Sequence, residues 1–341
     1  MNRGEWFDRQ FLRGKLTVPD VIRRTGWLHT AGGTGPYLSL RARIPNLTRQ
    51  HVDDLVYRKL EVLELPCVRE STMLVPPEDA AVALAAGRRA MMTRLKKLAV
   101  DAEQVDALAD RIIKTLADGT RSADQLRSEI PPKLITDLGE AGKKLGFGST
   151  LPLALRLLQA QGRVIRLGEE MRLDAKRYFY RRWPASVTLS YEPDDLDGEL
   201  AKRFLSWAAP ATAGDFAFFA GIGKTAAKKA LSGGQAIVAV RSTARGVMLL
   251  PFRDNYFELH RDWDEIARHH NTIVADGELR GIWEYDPGAE KILWRTFQKT
   301  RGVEAAVAET ETFIREELGD HKFYAFDQGR TRDARLTLIR R

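Results

Sequence analysis

The 341-residue sequence is poor in cysteine and in long apolar runs. Its one cysteine, Cys67, excludes a disulfide within the chain and any multi-cysteine zinc site. No run of about 18 apolar residues is present to cross a bilayer, and the opening MNRGEWFDRQ is too polar for a secretory signal. These absences predict a protein of a reducing compartment, the cytoplasm, with no membrane partner.

Several enzyme motifs are also missing. The sequence contains no Gly-x-Ser-x-Gly turn, no phosphate-binding loop and no His-Glu-x-x-His helix. His269 and His270 are adjacent, so their side chains would diverge on a helix, and no cysteine or acid lies at metal-ligand spacing from them. We therefore expect no metal and no cofactor. The glycine cluster at 32–35 follows no predicted strand and is interpreted as a flexible link.

Basic residues are in excess, with 54 Lys and Arg against 46 Asp and Glu and a net charge of +8. Residues 1–100 hold 17 Lys and Arg against 10 Asp and Glu, which places most of the excess there. A basic balance favours a polyanionic partner. Charges on one helix can equally form a solvated surface, so charge alone leaves nucleic acid as one of two open interpretations.

The stretch 210–250 has the order of a winged helix. An apolar helix is followed by a glycine turn and by a basic helix that begins at Lys224. Two β-rich segments, 236–241 and 246–250, then flank a charged tip. In such a unit the second helix lies in the major groove and the wing lies on the backbone. The predicted DNA contacts of this unit are Lys224, Lys228, Lys229, Arg241 and Arg245.

The same plan is predicted twice more. Residues 105–173 have three helical patterns, the second of them opened by a serine cap at Ser122, and a hairpin whose second strand covers 171–173. Residues 18–75 have three helical patterns, the last of them opened by a threonine cap at Thr48, and a hairpin. The run 176–183, KRYFYRRW, mixes basic and aromatic residues that could follow a nucleic-acid strand. It is better interpreted as a strand with its aromatic rings toward the core.

After residue 250, short strands separated by Asp-Gly and Pro-Gly turns predict a hairpin-built sheet or partial barrel, closed by a helix at 303–318. The chain therefore divides into four predicted domains. They are a first winged helix with the candidate active-site segment at 1–98, a second at 99–185, a third at 186–255, and a β-rich domain with a closing helix at 256–341.

Longer segments of the sequence are similar to one known family. FLSWAAPATAGDFAFFAGIGKTAAKKAL, VMLLPFRDNYFELHRD and IVADGELRGIWEYD resemble the bacterial AlkZ and YcaQ family of winged-helix DNA glycosylases, and GPYLSLRARIPNLTRQHVDDLVYRKL and LVPPEDA fit its opening domain. The resemblance covers most of residues 15–290. It implies an α+β protein with three tandem winged helix-turn-helix domains scaffolded on a small C-terminal β-barrel-like sheet, around a basic DNA channel. Members hydrolyse the bond between deoxyribose and a bulky alkylated or crosslinked purine.

The family's catalytic pair, a Gln followed two residues on by a Gln or an acid, falls on His29 and Ala31, so the pair itself is absent. His29, with an ordinary pKa of about 6.5, could hold the attacking water. The glycine of the family's first wing falls on Glu70, whose carboxylate could replace the missing second group. Asp53 or Asp54 could also assist.

The rest of the first-wing pattern keeps only its arginine, Arg69, since Met73 stands where the family has a histidine. Arg69 and Arg41 are predicted DNA contacts. As an alternative to catalysis, Glu70 could simply pair with one of these two arginines on the surface.

Two functions stay open. The first is a DNA glycosylase of altered specificity that uses His29 and Glu70. The second is a winged-helix DNA-binding protein that has lost the chemistry, because a fold can persist after its site has gone. Either function predicts double-stranded DNA, damaged in the first case, as the partner of a cytoplasmic, nucleoid-associated protein. No dimerisation helix is visible, which predicts a monomer.

Overall fold

The structure is a computed structural model that describes residues 2–12, 15–30, 33–189, 191–232, 245–324, 327 and 329–340. Helices and three small antiparallel sheets form an α+β fold. None of the helices in these ranges is long and apolar enough to cross a membrane.

The first part of the chain combines five helices with a three-stranded sheet. Its elements are α1 (Arg3–Gln10), α2 (Val18–Thr25), β1 (Leu28–His29), α3 (Gly35–Arg41), α4 (Arg49–Asp53), β2 (Leu63–Pro66), β3 (Thr72–Val75) and α5 (Ala80–Leu98). The sheet order is β1-β3-β2, and α4 continues as a π-helical turn, Asp54–Arg58. Thr48 caps α4 as predicted, because its Oγ1 accepts a hydrogen bond from the His51 amide at 3.2 Å.

The second part repeats the order of helices followed by a hairpin. Its elements are α6 (Ala102–Thr115), β4 (Arg121–Ser122), α7 (Ala123–Glu129), α8 (Gly139–Lys144), α9 (Thr150–Ala160), β5 (Val164–Gly168) and β6 (Tyr178–Arg182). The sheet order is β4-β6-β5. The serine cap predicted for α7 is confirmed, since Ser122 and Gln125 exchange the two hydrogen bonds of a capping box.

The predicted second strand at 171–173 is wrong, because β6 in the KRYFYRRW run pairs with β5 instead. Glu170 and Met171 have left-handed φ angles of 55° and 57°, which turn the chain away from β5. Leu173 is then buried against the first part of the chain, where its amide donates to the Tyr37 hydroxyl at 2.9 Å. Long-range burial therefore overrides the local alternation on which the prediction was based.

The third part begins with three helices, α10 (Leu196–Ala208), α11 (Ala213–Ala220) and α12 (Lys224–Leu231). The predicted break between the last two is confirmed, because Gly221 ends α11 with a left-handed φ of 67°. The predicted wing strand at 236–241 lies outside the described residues. The predicted strand at 246–250 is present as β7 (Val247–Leu250), but its partner is a strand of the C-terminal sheet.

The C-terminal part contains α13 (Asn255–Glu258), β8 (Asn271–Ala275), β9 (Glu278–Asp286), β10 (Lys291–Thr296), α14 (Val303–Phe313) and α15 (Gly329–Arg340). The sheet order is β10-β9-β8-β7, with every pair antiparallel. The expected barrel is wrong for the described residues: β7 and β10 lie at opposite edges of an open sheet. Arg335 of α15 pairs with Glu284 of β9, so a helix rather than strand closure lies against this sheet.

Buried side chains form two apolar clusters. The larger one joins the first, third and C-terminal parts of the chain. The smaller one lies almost wholly within the second part and includes Leu108, Leu126 and Leu158. A fully buried ion pair, Arg43 with Asp254 at 2.8 Å, connects two of the parts of the chain that share the larger cluster. The second part of the chain therefore has a core of its own.

Candidate active site and nucleic-acid surface

A cavity of about 560 Å³ lies between the first wing, the second part of the chain and the C-terminal part. β1 and the first wing contribute His29, Glu70, Ser71 and Thr72 to its lining. The second part contributes polar and aromatic side chains: Arg156, Gln159, Arg166, Tyr178 and Tyr180. Tyr324 comes from the chain between α14 and α15. His29 and Glu70, the two catalytic candidates predicted from the sequence, thus line the same cavity.

His29 is the last residue of β1 and lies opposite Met73 in β3. Its Nε2 is 2.9 Å from Nη1 of Arg253. A guanidinium can only donate, so Nε2 accepts this hydrogen bond and the ring proton lies on Nδ1. Nδ1 is buried, and the described residues offer it no hydrogen-bond partner.

The electrostatics of His29 differ from the ordinary ones assumed from the sequence. Burial, followed by the charges of Arg253, Arg69 and Arg156, lowers the pKa of His29 from 6.5 to about 3. The ring is therefore neutral at pH 7 and is a weak base. The position of His29 in the cavity lining agrees with a role in the active site. Its low pKa, however, makes it a poor general base for deprotonating water.

Glu70 lies in the tight turn of the first wing. The Ser71 amide donates to the Val68 carbonyl at 3.0 Å, and the two residues between them have left-handed φ angles, 54° for Arg69 and 59° for Glu70. The Glu70 carboxylate pairs with Arg94 of α5 at 2.6 Å. Glu70 therefore does form an ion pair, but with neither of the two arginines considered from the sequence.

Two further arginines shape the cavity and were missed from the sequence. Arg156 donates to the Thr72 hydroxyl at 2.7 Å and to the Glu70 carbonyl at 2.6 Å. Burial and the nearby charge of Arg166 lower the pKa of Arg156 to about 10. Arg166 pairs with the buried Glu64 at 2.5 Å, and its guanidinium carbon lies 4.2 Å from the centre of the Tyr178 ring.

Arg253 is a third arginine at the site that was not predicted from the sequence. It lies between β7 and α13 with a left-handed φ of 64°. Besides its hydrogen bond to His29, its guanidinium carbon lies 5.3 Å from the Phe252 ring centre and 5.6 Å from that of Tyr324. Non-glycine residues in this backbone region are uncommon and occur often at functional sites.

The acids proposed as helpers lie elsewhere. Asp53 accepts hydrogen bonds from Tyr37 at 2.5 Å and from Arg49 at 2.6 Å in a buried network. Burial raises the pKa of Asp53 to about 6 despite these contacts. Asp54 pairs with Arg58 on the same helix at 3.1 Å. Neither acid lines the cavity.

The two arginines predicted as DNA contacts in the first part of the chain are engaged within the protein. Arg41 is 3.8 Å from Glu309 of α14. Arg69 is 3.5 Å from Glu258, and its guanidinium carbon lies 4.1 Å from the centre of the Phe218 ring in α11. Both side chains connect the first part of the chain to later parts.

Many other arginines of the first hundred residues also pair with acids distant in sequence. Such pairs include Arg43–Asp254, Arg88–Glu192, Arg89–Asp197 and Arg94–Glu70. The N-terminal charge excess is therefore partly neutralised within the fold and does not mark a free basic surface by itself.

Unlike those arginines, the lysines of the basic helix α12 lie on the surface. Lys224, Lys228 and Lys229 are all exposed, while Ala227 is buried against the core. Arg245 is exposed next to β7, and Arg241 lies outside the described residues. The lysines are thus placed where a polyanion can reach them. Lysine lacks the planar guanidinium group with which arginine recognises base edges, so it suits contact with phosphates better than recognition of sequence.

Comparisons with known proteins give the same family as the quoted segments. Residues 22–255 match the model of the family described as DNA glycosylase AlkZ-like. The structure resembles that of Streptomyces sahachiroi DNA glycosylase AlkZ with a TM-score of 0.69 over 94% of this chain and 97% of that chain, at 18% sequence identity. No curated protein matches the sequence. The structural likeness shows the fold and the family match spans more than half of the residues, so this chain belongs to the AlkZ-like DNA glycosylase family.

Proposed function

We propose that this protein binds double-stranded DNA and hydrolyses the N-glycosidic bond of a bulky alkylated or crosslinked purine whose nucleotide enters the cavity beside His29. The cavity is the observation that carries the proposal. Its volume of about 560 Å³ lies within the range of about 300–1,000 Å³ common for ligand sites. It combines aromatic rings, arginines and a carboxylate, as expected for a site that holds a nucleotide.

The proposed reaction does not need a general acid to protonate the leaving base. An alkylated purine already carries a positive charge, so when the bond from C1′ to the base breaks, the base takes the electron pair and leaves neutral. Water then adds to the oxocarbenium-like sugar and loses a proton. The rings of Tyr178 and Tyr180 suit a cationic base, and Arg156 suits a phosphate of the same strand.

His29 and Glu70 take different roles in this proposal. His29 is neutral and bound through Nε2 to Arg253, so it serves as a positioning group rather than as the base. Glu70 supplies the negative charge that stabilises the oxocarbenium-like sugar and receives the proton from water.

The DNA duplex is proposed to lie against the exposed lysines of α12, with Arg241 and Arg245 as further phosphate contacts. Arg41 and Arg69 act indirectly in this arrangement, because they hold the parts of the chain together. The three helix-and-hairpin units are proposed as winged-helix domains with the boundaries given above. A monomer acting at the nucleoid is sufficient for this function.

A second candidate is a DNA-binding protein without hydrolytic activity. It is favoured by one specific observation: both polar groups that could act on the sugar are engaged by arginines, His29 by Arg253 and Glu70 by Arg94. The cationic surroundings of His29 also oppose the positive charge that develops on the sugar in the transition state.

Incubation with alkylated and crosslinked duplexes distinguishes the two candidates. Freed purine and abasic strand are measured for the wild-type protein, His29→Ala and Glu70→Gln, with DNA affinity measured in parallel. We expect release by the wild type and its loss in His29→Ala at nearly unchanged affinity. The exposed His269 gives the matched control, His269→Ala, which should release purine normally. Binding by the wild type without any release would contradict the glycosylase and support the second candidate.

A further inference from the structure

The chain between α14 and α15 is held against the site by its backbone. The Thr34 amide donates to the Lys322 carbonyl at 3.1 Å, and the Lys322 amide donates to the Thr34 hydroxyl at 3.0 Å. A Cβ atom at Gly33 would lie 2.4 Å from the Lys322 carbonyl oxygen. Only glycine therefore permits this close approach, which places residues 321–324 beside Gly33 and Thr34.

His321 strengthens this attachment from the buried side. Its Nδ1 is 2.7 Å from the Thr34 hydroxyl, and its Nε2 is 3.0 Å from Oδ1 of Asn271 in β8. The segment is thereby tied both to the first part of the chain and to the C-terminal sheet. These contacts hold the backbone that carries the next two aromatic residues, Phe323 and Tyr324, at the site.

Those two aromatic residues have different environments. Phe323 is buried and stacks on Phe252, with ring centres 4.7 Å apart and an interplanar angle of 10°. Tyr324 meets the edge of Phe252 at 5.6 Å and 75°, yet it is 38% exposed and lines the cavity. Arg253 lies 5.6 Å from the Tyr324 ring while it binds His29.

We propose that Tyr324 is a stacking platform for an unstacked nucleobase of the DNA that enters the cavity. An accessible aromatic ring that packs against another ring and lies beside an arginine is suited to binding unpaired bases, because every base has a π-face and the arginine attracts the phosphate. The platform rests on the proposed binding of DNA at the cavity. It lies outside the matched residues 22–255, so it makes the C-terminal part of the chain a contributor to the site.

The test uses a duplex with a single 2-aminopurine in a one-nucleotide bulge, bound to the full-length protein. Stacking on tyrosine quenches the fluorescence of this base. We expect quenching by the wild type and by Tyr324→Phe, and little quenching by Tyr324→Leu. Affinity of Tyr324→Leu for the bulged duplex should fall on the order of tenfold, while its affinity for a fully paired duplex stays the same. Tyr191→Leu, which alters another exposed tyrosine, is the matched control.

Equal quenching and affinity in Tyr324→Leu and the wild type would overturn the platform. Loss of quenching in both Tyr324→Phe and Tyr324→Leu, with equal falls in melting temperature, would also overturn it, because it would indicate a packing role. Purine release is not part of this readout. Quenching that depends on Tyr324 in a protein that frees no purine would support the platform and contradict only the glycosylase.

Discussion

At the scale of single residues, His29 shows how its neighbours change the chemistry of a side chain. A histidine on a surface binds a proton near pH 6.5, whereas burial and Arg253 keep this ring neutral to about pH 3. The hydrogen bond from Arg253 to Nε2 also fixes the tautomer, with the ring proton on Nδ1. A residue that the sequence suggests as a base is therefore better suited to hold position.

This shift predicts a pH dependence of stability. Between pH 6.5 and 3 the unfolded chain protonates His29 and the folded protein does not, so the free energy of unfolding falls as the pH falls. We expect His29 to account for about 2 kcal/mol of the loss between pH 7 and pH 5. Urea unfolding of the wild type and His29→Gln at both pH values measures it.

The loss on acidification should be smaller in His29→Gln by that amount. His269→Gln, which changes a side chain that is 64% exposed, should lose as much stability as the wild type. Equal losses in all three proteins would show that the His29 ring titrates alike in the folded and unfolded chains.

Glu70 leads to a prediction about backbone strain. Its φ of 59° is unfavourable for residues with a Cβ atom and costs glycine nothing. Glu70→Gly and Glu70→Ala both remove the pair with Arg94, so the comparison between them isolates the backbone. We expect the glycine variant to be more stable by about 1 kcal/mol, measured by denaturant unfolding.

The control for this comparison is Asp106, an exposed position in the interior of helix α6. There Asp106→Gly should be less stable than Asp106→Ala, because glycine weakens a helix interior. The same order at both positions would contradict the strained turn in the first wing.

At the scale of secondary-structure elements, the basic helix α12 carries the clearest prediction. Lys228→Ala combined with Lys229→Ala should weaken DNA binding and reduce the salt dependence of the binding constant. Each phosphate contact adds about 0.9 to the slope of log K against log salt, so loss of two contacts should lower the slope by almost 2. Titrations at several salt concentrations measure both quantities.

A double variant with the same change in net charge is the control. Lys114 and Lys291 are both exposed, and neither is a proposed DNA contact. Their replacement by alanine should leave the slope nearly unchanged. Equal effects of the two double variants would mean that overall charge, and not α12, determines the affinity.

The elements also show where sequence patterns succeed. The caps of α4 and α7 and the end of α11 involve residues within four positions of each other, so local chemistry is sufficient to predict them. The strand predicted at 171–173 for the second wing was wrong, because Leu173 is buried by contacts with the first part of the chain. No local pattern contains that information.

At the scale of the whole molecule, the two apolar clusters predict two units of stability. Leu158 is fully buried in the smaller cluster and Phe204 in the larger one. Leu158→Ala should cost about 2–5 kcal/mol and should accelerate amide hydrogen exchange in α6 and α9. Exchange in β8 and β9 should change little, since these strands belong to the other cluster.

Phe204→Ala is the reciprocal variant and should accelerate exchange in β8 and β9 more than in α6. If both variants accelerate exchange uniformly across the chain, the two clusters unfold as one cooperative unit. The ion pairs that cross between them, such as Arg166 with Glu64, would then couple the two parts completely.

The sequence by itself determined many of the helices, most strands, the order of helices followed by a hairpin in the first two parts of the chain, and the two segments that carry His29 and Glu70. These features follow from local periodicity, caps and turns, and from the resemblance of long segments. Only the tertiary structure decided the rest. Arg253 is 224 residues from His29 in sequence and Tyr324 lies still later in the chain. Their contacts, the neutral state of His29 and the open C-terminal sheet depend on burial and on charges brought together by folding, which no local pattern records.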